Sequence, residues 1–238
     1  VHLGSLSEII PSTSLIKSIR QRDAEADITY VVKEEKLRDV NRFNKDVTGT
    51  ITFDQFVKEK NYYDLLINLY PIFPEDVNIQ STIKAATGFC FYTHFDKFKS
   101  IFLTNEVNRD MNIFQLYHLL SGMKWKGQGY DLGYYPKSKS KPNRVGVSLA
   151  HANLRNYVLE HLKTDDMKIW YVQYRKNIFK KMDEINRCKQ IITDDMTTFH
   201  LALYLRKYVY FLQTTPLNLK LEFFRNGQNH KVPFSVFQ

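Results

Sequence analysis

Cysteine is scarce: Cys90 and Cys188 are the only two in 238 residues. Two thiols so far apart build no disulfide scaffold, and the expectation is free thiols in a reducing compartment. Glycine is sparse as well, nine in all. The densest cluster, GQGYDLG at 127–133, lacks the spacing of a phosphate loop or a dinucleotide fingerprint. No apolar run reaches the roughly 20 residues of a membrane-spanning helix. No basic-then-apolar leader opens the chain. Cys-x-x-Cys, His-Glu-x-x-His and a serine-hydrolase elbow are all missing, so the usual signatures of zinc and acyl-transfer chemistry are not there.

What is present is a folded composition: 43% apolar residues, a mean hydropathy of -0.40, 17 Phe and 15 Tyr. The length suits one large domain or two small ones. The net charge of +9 is unevenly placed. Residues 1–114 carry 14 basic and 16 acidic side chains, whereas residues 115–238 carry 20 and 9. A basic second half points to an electropositive face, with nucleic acid, anionic lipid or an acidic protein as its partner.

The stretch NKDVTGTITFDQF, residues 44–56, resembles a calcium-binding helix–loop–helix loop. With Gly49 as the sharp turn, the ligand positions are Asn44, Asp46, Thr48, Thr52 and Gln55. The twelfth is Gln55, where a bidentate Glu belongs, and one formal charge remains among them. A turn leading into a short strand, 50–53, and then a helix is the better reading.

Elsewhere the periodicity predicts helices from Ser14, over 34–43, over 54–70 and over 110–122 with Asp110 as cap. Further helices are expected from Ser148, from Thr164 through about Arg187, and from Asp194 or Asp195 into YVYFL. Short strands fit 28–32 and 88–92. The alternation in LNLKLEFF, the Asn226–Gly227 turn and the return HKVPFSVF predict a C-terminal β-hairpin over 217–236. The expected fold is therefore α+β, predominantly helical with short strands and a C-terminal hairpin. Its parts would be a near-neutral lobe, 1–122, a glycine/aromatic/basic loop, 123–147, and a basic lobe, 148–238.

The loop is the strongest binding candidate. Trp125, Tyr134 and Tyr135 are interleaved with Lys124, Lys126, Lys137, Lys139, Lys141 and Arg144. Single strands are held by aromatic stacking and by phosphate contacts to basic side chains. Arg175, Lys176, Lys180 and Lys181, on the helix expected over 168–187, would extend the surface. Other clusters carry less. Cys90, His94 and Asp96 fall short of a zinc ligand set. Ser148 and His151 lack an orienting group and an oxyanion hole. The two TDDM segments, 164–167 and 193–196, place their acids at helix starts, where the dipole favours them. Size, basicity and helical content are similar to those of small viral nucleoproteins in general. The reading that follows is a non-enzymatic protein that binds single-stranded nucleic acid, RNA before DNA. It would be oligomeric, need no cofactor or metal, and work in the host cytoplasm or within a virion. The alternatives are an assembly protein of a virus or phage whose basic half contacts another protein, and a metal-dependent nuclease built on Glu75, Asp76, Asp96 and Glu106.

Overall fold

The computed structural model describes residues 1–59, 62–69, 84–90, 112–161, 167–173, 177–213 and 227–231. The chain divides into two compact units, Val1–Gly133 and Tyr134–Gln238.

In unit 1, helix α1 (Leu6–Ser12) opens where the Glu8 carboxylate accepts from the Ser5 backbone N–H at 2.7 Å. Helix α2 (Ser14–Arg22) follows at once. Strand β1 (Thr29–Val32) pairs in parallel with β2 (Gly49–Thr52), and a 3-10 helix (Glu35–Asn41) lies between them in sequence. The calcium-like stretch thus becomes a turn, a strand and a helix start. Within it Asn44 Nδ2 donates to the Asp131 carbonyl at 2.7 Å, so this side chain ties two loops together.

The helix expected over 54–70 is not formed. Thr52 and Gln55 cap a short helix, α3 (Phe53–Lys58), and the chain then turns into strand β3 (Tyr62–Asn68), parallel to β4 (Lys84–Cys90). The aromatic and apolar run YYDLLIN fits a pleated surface as well as a helical stripe, and pairing with β4 decides between them. Helix α4 (Ile113–Leu120) is capped reciprocally by Asn112 and Gln115. Asp110, the expected cap, lies outside the described residues. Leu15, Leu69, Leu116 and Tyr117 make the core between these elements.

Unit 2 is a parallel five-stranded sheet. Its strands are β5 (Lys141–Ser148), β6 (Lys168–Tyr171), β7 (Cys188–Thr193), β8 (Tyr208–Gln213) and β9 (Gly227–Lys231), in the spatial order β6-β5-β7-β8-β9. Helices α5 (Leu154–His161), α6 (Ile178–Asn186) and α7 (Met196–Tyr204) form the crossovers that parallel pairing demands. Val145, Val147, Ile192 and Leu212 pack with Leu154 and Val158 of α5 on one face. On the other, Phe199 of α7 meets Phe211 edge-on at 5.3 Å. A Cβ at Gly146 would lie 2.6 Å from Ile191 Cδ1 and 2.9 Å from Cys188 Sγ, so these side chains would have to shift to admit one.

These strands overturn the mostly helical reading. The expected helix over 168–187 is β6 followed, from Ile178, by α6. The long helix into YVYFL stops at Tyr204, and Arg206 takes a left-handed φ of 57° before β8 begins. Strand β9 runs parallel to β8, with Val209 opposite Gly227, so it joins the sheet edge rather than closing a hairpin. Residues 214–226 and 232–238, which held most of the expected hairpin, lie outside the described residues.

His200 on α7 is 3% exposed, and burial lowers its pKa to about 3, with the Asp195 charge opposing only in part. The folded state therefore excludes a proton that the unfolded chain takes up below about 6.5. Stability must fall as the pH drops from about 6.5 towards 3, and this residue alone costs about 2 kcal/mol at pH 5. Denaturant titrations at pH 7.5 and 5 should show that loss. In His200→Leu the difference should shrink by the same amount; an unchanged difference would place the acid sensitivity elsewhere.

Candidate functional site at the strand-order reversal

Counted within unit 2, the strand order is 2-1-3-4-5. The chain leaves β5 for β6 on one side and returns to β7 on the other, so the connections diverge at the carboxyl ends of β5 and β7. Open parallel sheets bind ligands in the crevice formed at such a point.

The residues there make a connected polar network. Thr193, the last of β7, donates through its hydroxyl to the Ser148 carbonyl at the end of β5, 2.7 Å away. Ser148 Oγ lies 3.1 Å from Thr198 Oγ1 on α7. Beyond β7 two carboxylates point in different directions. Asp195 caps α7, accepting from the N–H groups of Thr197 and Thr198 at 3.1 Å each. Its Oδ2 also takes Lys181 Nζ at 2.8 Å and the Thr198 hydroxyl at 2.6 Å. Burial pushes this carboxyl up, but Lys181 and the three hydrogen bonds outweigh it and hold the pKa below the usual range. Asp194 reaches back to the β5 loop. Its carboxylate accepts from Ala150 N at 2.6 Å, His151 N at 3.0 Å and His151 Nδ1 at 2.6 Å. The Asp194 side chain is fully buried, whereas that of His151 is 53% exposed. The arrangement is a buried carboxylate holding an accessible imidazole, with the adjacent helix start already neutralised by a lysine–aspartate pair.

Ser148 was expected to cap a helix, but it ends a strand, and α5 starts six residues later. Sequence reasoning took both acids of TDDM, 193–196, as helix-start residues. Asp195 is one; Asp194 is not. The available signal was the β-branched run Ile191–Thr193 just before Asp194, which reads as a short strand and places the acids at a strand end.

The residues expected to bind nucleic acid fall in both units. Lys124, Trp125 and Lys126 belong to unit 1, and the other described ones to unit 2. Trp125 stacks on Phe114 at 6.4 Å, and its Nε1 donates to the Gln128 carbonyl. Tyr134 packs on Phe179 at 4.8 Å and donates to Asp183 at 2.8 Å. Tyr135 is exposed beside Tyr204. Lys137 and Lys139 are exposed in the segment before β5, and Lys141 opens that strand. Arg144, on β5, sits 4.4 Å over the Trp170 ring. Lys180 is exposed on α6, whereas Lys181 is buried in its pair with Asp195. Arg175 and Lys176 lie outside the described residues.

No family model matches the chain, and no curated protein matches it in sequence. Solved structures do match in fold. The E. coli heptosyltransferase WaaC with ADP-2-deoxy-2-fluoro heptose is 11% identical over 97% of this chain and 91% of that one, with a TM-score of 0.61. E. coli ADP-heptose lipopolysaccharide heptosyltransferase II is 14% identical over 98% and 90%, also at 0.61. A family 9 glycosyl transferase from Veillonella parvula is 13% identical over 97% and 84%, at 0.63. At these identities the likeness is one of fold. It overturns the reading of the chain as an RNA-binding viral nucleoprotein, because its structural neighbours are α/β glycosyltransferases. A helical, basic composition had stood in for a fold that the parallel strands now define.

Proposed function

We propose that this protein binds a nucleoside-diphosphate sugar and transfers the sugar to an acceptor hydroxyl. Unit 2 would hold the nucleotide at the reversal between β5 and β7. The observation that carries this reading is the site itself: a strand-order reversal with an accessible imidazole, His151, beside two helix starts. Support comes from the fold neighbours, two of which contain ADP or an ADP-sugar analogue. In the reaction the bond from the anomeric carbon to the phosphate oxygen breaks, and its electron pair leaves on the nucleoside diphosphate. The acceptor oxygen forms the new bond and gives up its proton to a base or to water. The protein's part is to orient the diphosphate and offset its growing charge, which donors and cations fixed in advance do best. Asp195 is already offset by Lys181, so this carboxylate does not repel an incoming phosphate at full strength.

The test is calorimetric titration of the whole chain with ADP, UDP, GDP and CDP. At least one should bind within the roughly 1 μM–1 mM range usual for enzyme substrates. Absence of binding by all four would falsify the reading.

A further inference from the structure

We infer that the outer edge of β6 accepts an extended, acidic peptide segment as an added strand.

Strand β6 is the last on its side of the unit 2 sheet, and among the described residues it pairs with β5 alone. The ladder fixes which backbone groups it leaves open. The Val172 N–H donates to the Val147 carbonyl of β5 at 2.9 Å. Peptide groups alternate sides along a strand, so those of Trp170 also face β5. The N–H and C=O groups of Ile169 and Tyr171 then face outward. Each of these residues offers a donor and an acceptor to an incoming strand, the means by which peptides extend a sheet.

The side chains set the chemistry of that strand. The Arg144 guanidinium lies 4.4 Å over the Trp170 ring. That of Arg155 lies 4.5 Å over the Tyr171 ring, and its Nε donates to the Tyr171 hydroxyl at 3.1 Å. Adjacent residues of a strand point to opposite faces, so one arginine–aromatic pair stands on each face of the sheet at this edge. Trp170 is 36% and Tyr171 41% exposed, and Lys168 is exposed beside them. Each guanidinium is held over its ring, so it gives up little freedom on meeting a carboxylate. A strand laid along β6 sends alternate side chains to both faces, and two consecutive carboxylates reach both pairs.

Other occupants fit this edge less well. A second copy adding its own β6 would bring the same basic side chains to the same edge, and like charges across a strand pair repel. An anionic membrane is flat, whereas pairs on opposite faces of one sheet do not share a plane.

The probe is a labelled eight-residue peptide of valine and threonine with two adjacent glutamates at its centre. It is titrated into the whole chain and followed by fluorescence anisotropy. It should bind at least about tenfold more tightly than an analogue with lysines in place of the glutamates. An analogue that keeps the glutamates but carries proline beside them should also bind weakly, because proline cannot donate to a ladder. Amide exchange read by NMR should slow at Ile169 and Tyr171 in the complex and stay as it was at Trp170, which a contact through charge alone would not produce. Arg144→Gln/Arg155→Gln should weaken binding about tenfold with the fold kept, since neither side chain is buried. Should that variant fail to fold, the exchange pattern of the wild type decides. The added strand is overturned if the glutamate peptide does not bind, or binds while Ile169 and Tyr171 exchange as before. Capture by vesicles of phosphatidylserine in phosphatidylcholine, lost in the double variant and without peptide binding, would overturn it in favour of a lipid contact.

Discussion

Asp195→Asn should destabilise unit 2 by about 3 kcal/mol, the lower end of what removing one partner of a buried ion pair costs. Asparagine is also a good helix cap, but it keeps one acceptor oxygen where Asp195 uses two, so the substitution removes the charge together with the hydrogen bonds to one oxygen. Lys181 is then left 8% exposed with its ammonium uncompensated. The lower figure applies because Asp195 is itself 29% exposed and water screens part of the pair. Hydrogen exchange at β7 and β8 amides reads the loss in unit 2 alone. The double variant Lys181→Met/Asp195→Asn should recover most of it, since no charge remains buried. A single variant that loses less than about 1 kcal/mol would mean that water already compensates Lys181.

Gly133→Ala should destabilise unit 1 by about 3 kcal/mol or more. Gly133 has a φ of 65°, in the left-handed region that glycine tolerates best. A Cβ there would lie 2.2 Å from the Phe43 carbonyl oxygen and 2.6 Å from the Asn44 Cα. Both atoms are backbone, and Asn44 is anchored to Asp131, so neither can move cheaply. Gly49→Ala is the matched control, because nothing lies within 4 Å of its added methyl. Thermal unfolding followed at Trp125, with Trp170 replaced by Phe, should show a lower midpoint for the first variant and little change for the second. Equal midpoints would show that the 43–44 turn yields to the new methyl.

The sequence was legible where signals are local. The strand expected over 28–32 is found at Thr29–Val32, the 44–56 stretch is a turn, strand and helix start, and of the two candidate caps Asp194 and Asp195 the second caps α7. It was misleading where pairing partners decide. Strand β5 begins with Lys141, Pro142, Asn143 and Arg144, which look like loop, and only Val145–Ser148 carries its apolar half. Strand β8 follows α7 after a single turn. Its run YVYFLQ continues the apolar density of LALYL without a proline between them, and only the left-handed Arg206 marks the break. The site was hidden for a related reason. His151 and Asp194 are 43 residues apart and meet only because β5 and β7 are neighbours. No spacing rule within one segment could join them.

Strand β5 comes first in sequence among the five strands of unit 2, yet it lies between two that follow it. On a ribosome it emerges before either neighbour exists. Pairing on one side must wait for Lys168–Tyr171 and on the other for Cys188–Thr193. At roughly 5–20 residues per second, that leaves both edges open for several seconds. An unpaired apolar strand invites another nascent chain to add to it. The leading residues Lys141, Pro142 and Arg144 oppose that: two carry charge, and the proline cannot complete a foreign ladder. Three of the four residues that disguise β5 as a loop thereby act as its gatekeepers until the sheet closes around it.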